Sequence, residues 1–131
     1  MRSVRTAFPI LLLGVLGWAG TAAAAPPSAA DVARIEPVFG NTVVSTYTNG
    51  QTAKLWLERD GSYTGEGRKG GASSGRWSLK PDQICLKQST PIPIPFAFCT
   101  PLPQASLAAG WSTKAVTGDQ IQVHIAPGNG G

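Results

Sequence analysis

The sequence holds a single histidine, a single methionine and two cysteines in 131 residues. One histidine excludes paired-imidazole chemistry. Together with two cysteines it also excludes nearly every standard protein-only zinc site, which draws most of its four ligands from those residue types. Charged residues are sparse, 14% of the chain, and aromatics make up 8%. Hydrophobic residues reach 42%, enough to build a core and too many for outright disorder. Glycine and proline are plentiful, at 16 and 11. A chain so rich in turn formers is not a helical bundle.

The first 25 residues read as an export signal. Arg2 and Arg5 make a basic start, and Pro9 to Ala19 is an apolar run too short to span a bilayer with ease, which takes about 20 residues. Thr21 to Ala25 supply the small side chains that a signal peptidase accepts. Cleavage is expected after Ala24, because Pro26 disfavours a cut directly before it. The mature chain, 25–131, is long enough for one modest core. Without Arg2 and Arg5, 9 basic residues face 7 acidic ones, a net charge of +2. That charge serves solubility and gives no ground for a nucleic-acid partner. No membrane span is expected after cleavage. In an oxidising compartment Cys85 and Cys99 are expected to pair.

Ser28 can cap a short helix over about 29–36, with Val32, Ile35 and Phe39 on one face. From Asn41 the hydrophobic period becomes two. Thr42 to Thr48 and Gln51 to Arg59 read as strands joined at Asn49-Gly50, with Ala53, Leu55 and Leu57 sharing one face. Asp60-Gly61 marks a second hairpin into Ser62 to Gly65. The Gly/Ser-rich stretch 65–75 reads as a flexible connection. Further strands are expected over 76–80, 83–88, 96–100, 111–116 and 120–126. Pro91, Pro93 and Pro95 make the intervening segment an extended loop or an edge. A tail without anchorage is expected from about 127. The fold class is therefore all-β: an antiparallel meander of about eight strands with a short N-terminal helix. It is expected to close into a small barrel, with an open sandwich of two sheets, which periodicity does not distinguish, as the alternative.

No motif carries chemistry, and neither a catalytic residue nor a metal site is assigned. Gly65-x-Gly67-x-x-Gly70 has dinucleotide spacing but cannot open a helix after it, so it reads as a hairpin loop. His124 lies opposite Val123 and Ile125 and faces solvent, with no nucleophile elbow to serve. The aromatic stock serves packing or lines an apolar cavity, unless side chains fill the interior. Candidate contact residues are Trp56, Trp77, Trp111 and Tyr63, together with Ile92, Ile94 and Phe96 around the stiff 88–95 loop. Arg59, Arg68, Lys69, Arg76 and Lys80 form a candidate basic rim at one end for an anionic partner.

The spaced set Gly40-Asn41-Thr42, Asp60-Gly61-Ser62-Tyr63, Gly75-Arg76-Trp77 and Cys85-Leu86 resembles small bacterial periplasmic proteins of unknown function. Those are regarded as lipocalin-like β-barrels, and the likeness spans about residues 40–100. Trp77, Cys85, Cys99 and Trp111 also resemble the pattern of barrel-shaped periplasmic inhibitors of secreted metalloproteases. In those, a free N-terminal segment enters the protease cleft, a part that would fall to Pro26-Pro27 here. The helix from Ser28 and the hairpins at 41–65 depart from that pattern. The first likeness implies a non-enzymatic periplasmic or secreted barrel for a small apolar or amphipathic ligand, without a cofactor. The second implies a module that binds another periplasmic protein through a loop or its N-terminal segment.

Overall fold

A computed structural model describes residues 28–104 and 106–129. The export signal, its cleavage point and Pro26-Pro27 lie outside these residues. Helix α1 (Ala29–Ile35) runs into a 3-10 turn, Glu36–Val38. Eight strands follow: β1 (Thr42–Tyr47), β2 (Thr52–Leu57), β3 (Ser62–Glu66), β4 (Ala72–Lys80), β5 (Gln83–Thr90), β6 (Phe98–Pro101), β7 (Trp111–Lys114) and β8 (Gln120–Ala126). A second 3-10 turn, Leu107–Ala109, precedes β7. All pairings are antiparallel, in the order β6-β5-β4-β3-β2-β1-β8-β7. The sheet curls until its two ends meet, where the hydroxyls of Thr100 on β6 and Thr113 on β7 lie 2.9 Å apart. The result is a small, nearly closed antiparallel barrel with a short helix.

Local chemistry sets the hairpins. At Asn49-Gly50 the Asn49 side chain accepts from the Gln51 N–H (2.9 Å), and Gly50 takes φ +87°, which few other residues tolerate. At Asp60-Gly61 the Asp60 carboxylate accepts from both the N–H and the hydroxyl of Ser62. These hydrogen bonds hold the Asp60 pKa below its ordinary value. The β1–β2, β3–β4, β5–β6 and β7–β8 connections all fall at one end of the barrel, its mouth. The other end is closed by α1 and its 3-10 turn.

The closure is an apolar plug with a polar clamp. Ile35 is fully buried and Val38 nearly so, packed with Leu57, Leu79, Leu102 and Leu107. Phe39 tilts against Trp77, with ring centroids 5.7 Å apart. The Arg34 guanidinium donates to Asp31 (3.0 Å), to Asp82 in the β4–β5 turn (2.8 Å) and to the carbonyls of Leu102 and Pro103. One side chain thus ties the helix to two other parts of the chain. Arg34→Ala removes these donors from two partly buried carbonyls and leaves the buried Asp31 without its cation. A loss of about 2–3 kcal/mol is expected, read as a lower urea midpoint. Arg59 pairs with Glu36 and lies over the Phe39 ring, 4.6 Å from its centroid. Hydrogen bonding from Arg59 holds the Glu36 carboxyl below its ordinary pKa.

Four expectations are corrected. Val32 is 39% exposed, and Asp31, Ile35 and Val38 form the buried face instead. Asp31, Ile35 and Val38 keep the i, i+4, i+7 spacing of one helical stripe, and the position facing inward beside Val32 is taken by an acidic residue paired with Arg34, which a hydrophobic pattern does not mark. The stretch 65–75 is a regular hairpin: β3 continues to Glu66 and β4 begins at Ala72, with Gly65 opposite Ser73. Partners on both flanks of β4 outweigh its weak strand propensity. The start of the tail is anchored, since the Gly128 N–H donates to Asn41 (3.0 Å) and its carbonyl accepts from Thr42 (2.8 Å). Finally, no single basic rim forms. Arg68 and Lys69 are at the mouth, whereas Arg59, Arg76 and Lys80 are at the closed end.

Candidate functional site: the barrel interior

Alternation along each strand sends one set of side chains inward. In the closed half these are large: Leu57, Tyr63, Leu79 and the plug residues fill the space. Burial there pushes the Tyr63 phenol pKa up. In the mouth half, four adjacent strands turn small residues inward. Ser45 pairs with Ala53, and Gly65 pairs with Ser73. Opposite them stand Ile84, Leu86 and Phe98 from β5 and β6, and Trp111, Ile121 and Val123 from β7 and β8. A wall of small side chains facing a wall of large ones leaves a cavity of about 270 Å³. Its floor is Ile35, Val38, Leu102 and Leu107.

The cavity surface is mainly aliphatic and aromatic, with hydroxyls from Ser45, Tyr47, Ser73, Thr100 and Thr113 and with Lys54, Glu66 and Lys114 toward the mouth. Its volume equals roughly nine waters at about 30 Å³ each, near the lower end of small-molecule sites. One side chain reaches across the mouth. Arg68, on the β3–β4 hairpin, stacks over the ring of Tyr47, 4.3 Å from its centroid. It then pairs with Asp119 on the β7–β8 turn at 3.5 Å.

Of the candidate contact residues, only Trp111 lines the cavity. Trp56 is on the outer face, where its indole N–H donates to Thr42 (2.9 Å) and helps pin the C-terminal segment. Trp77 donates to the Glu58 carbonyl (2.7 Å) and packs beside Phe39 at the closed end. Tyr63 belongs to the core beneath the cavity. Ile92 and Phe96 stand exposed on the outer loop, and Ile94 is half-buried there. Ser45, Ala53, Gly65 and Ser73 shape the cavity most, and the sequence did carry their signal: small residues at alternate, inward positions of consecutive strands.

Cys85 and Cys99 form a disulfide across directly opposed positions of β5 and β6. Their neighbours Ile84, Leu86, Phe98 and Thr100 line the cavity, so the bridge is on the outer face behind them. His124 is exposed on the outside of β8. The segment from Gly65 to Gly70 turns into a strand and not into a helix, so it lacks the geometry that cradles a dinucleotide. Among the described residues no group of three His, Cys, Asp or Glu side chains is placed to hold a metal, and no helix is long and apolar enough to cross a membrane.

No protein-family model, curated protein or solved structure matches the chain. The class defined by fold and site is a small, nearly closed eight-stranded antiparallel barrel with an apolar interior. Its shape is consistent with a non-catalytic ligand-binding role in general.

Proposed function

We propose that the protein is an exported, non-enzymatic binding protein that holds a small apolar or amphipathic ligand inside its barrel, in the manner of a lipocalin. The observation that carries this reading is the cavity of about 270 Å³, walled by Leu55, Ile84, Leu86, Phe98, Ile121 and Val123. A side-chain-filled barrel of this size has no such space. Export is supported by the basic and apolar start of the chain and by the disulfide, which persists in oxidising compartments.

Trp111 in the cavity wall provides a readout. Titration with 1-decanol or N-phenyl-1-naphthylamine is expected to change the tryptophan emission and to saturate at one equivalent. Ser45→Phe fills the space from the small-residue wall. It is expected to weaken binding at least about tenfold, the cost of denying a buried apolar group its site, while the far-UV spectrum is kept. Absence of saturable binding of either probe by the wild type rules the reading out.

A further inference from the structure

The outside of the mouth differs in character from the outside of the closed end. Among the described residues, four large hydrophobic side chains stand well exposed, and three of them are at the mouth. Ile92 and Phe96, 68% and 64% exposed, are on the β5–β6 connection, and Val116, 66% exposed, is on the β7–β8 turn. Only Val32 is at the other end. Prolines at 91, 93 and 95 stiffen the longer connection. Its backbone is also tied down, with the Ile94 N–H donating to the Gln88 carbonyl and the Gln88 side chain donating to the Ile92 carbonyl, both at 3.0 Å. The apolar side chains are thus held outward before any partner arrives, at little further cost in entropy.

Charge divides along the same axis. The mouth carries Lys54, Arg68, Lys69 and Lys114 against Glu66 and Asp119, a net charge of +2. At the closed end Arg34, Arg59, Arg76, Lys80 and Lys87, which is opposite Arg76, balance Asp31, Glu36, Glu58, Asp60 and Asp82, a net charge of zero. Among the described residues, Lys54, Lys69 and Lys114 at the mouth form no ion pair, as Arg76, Lys80 and Lys87 form none toward the closed end, where carboxylates are more numerous. Separate apolar side chains set among unpaired cations suit an interface that takes point insertions and supplies a sheet of negative charge. A globular protein partner instead needs a continuous complementary face.

We propose that the mouth end docks on an anionic phospholipid surface. Ile92, Phe96 and Val116 enter between the headgroups, and Lys54, Lys69 and Lys114 neutralise phosphates. The barrel then stands with its opening against the lipid. Lys54, Lys114 and Val116 also border the cavity opening, whereas Ile92, Phe96 and Lys69 stand clear of it, so variants of the last two test docking without altering the cavity wall.

The test is flotation of the mature protein with vesicles of phosphatidylglycerol and phosphatidylethanolamine, against vesicles of phosphatidylcholine alone. Binding to the anionic vesicles only is expected, falling as salt is raised. Lys69→Glu changes the charge near the surface by two and is expected to weaken binding about thirtyfold. Phe96→Ser is expected to weaken it about tenfold. Lys80→Glu makes the same charge change at the closed end and is expected to stay within about twofold of wild type. Far-UV spectra check that each variant keeps its fold. Equal binding to neutral vesicles, no flotation, or equal losses from Lys80→Glu and Lys69→Glu overturn the proposal. Capture of a defined protein through Phe96, without flotation, also overturns it and assigns the surface to that protein. The salt series on the wild type needs no variant, and an empty cavity in the ligand titration leaves the flotation result unchanged.

Discussion

Gly75→Val is expected to cost the barrel at least about 3 kcal/mol and to lower its thermal midpoint by about 15 °C. Gly75 sits where β4 and β5 shift register, in the irregularity between Ser74 and Gly75. A Cβ there would meet the Lys87 carbonyl oxygen at 2.0 Å and the Gln88 Cα at 2.9 Å. Both obstacles are backbone, so no rotamer change relieves them. The two strands must separate, and both β4 and β5 are paired on their other side as well, so the disturbance is not confined to a free edge. Against a typical total of about 5–15 kcal/mol, that loss leaves little reserve. Gly65→Ala provides the contrast. Its Cβ would meet the Ser73 hydroxyl at 2.9 Å and the tip of Leu55 at 3.4 Å. Both are side-chain atoms that can turn away, the one backbone neighbour, the Lys54 carbonyl oxygen, stays at 3.4 Å, close to ordinary contact, and a loss within about 1 kcal/mol is expected. Thermal melts of the two variants by circular dichroism decide the point. Equal midpoints would mean that strand separation at the bulge is not the cost.

How much of this was legible in the sequence depends on the range of the interaction concerned. The first two hairpins were readable because Asn49-Gly50 and Asp60-Gly61 act on their own neighbours. The inward and outward faces of β2 and β8 followed from period two alone. The helix face was misjudged at Val32 because the stripe that turns inward begins with Asp31, a carboxylate made tolerable by Arg34, and apolar periodicity passes over such a residue. The hairpin at 65–75 was hidden by its composition. Glycine and serine disfavour a strand in isolation, and only pairing on both sides makes one. Closure was beyond reach, because Thr100 and Thr113 meet across the ends of the sheet. The cavity lies between these cases. Its small residues are visible in alternation, but the space exists only once Ser45 and Gly65 face Leu86 and Ile121 across the interior.

Those distant contacts set the expected effect of removing the disulfide. Cys85→Ser with Cys99→Ser is expected to cost about 3 kcal/mol, the chain-entropy value for a loop of about 15 residues. Strand β6 has four residues and pairs along its length with β5 alone. On its other side it meets β7 through the Thr100 and Thr113 hydroxyls. Without the bridge, β6 is the strand with least to hold it. It also carries Phe98 and Thr100, which form part of the cavity wall. The loss is therefore expected to concentrate at the seam, with faster amide exchange over Phe98, Cys99→Ser and Thr100 than over β1 and β2. Retained ligand binding with unchanged exchange at β6 would show that strand pairing alone closes the barrel. Weaker binding with fast exchange confined to β6 would show that the bridge, on the outer face, keeps the inner wall in place. Adding Thr100→Val separates the two ties: if both hold one seam, removing the second costs more once the first is gone.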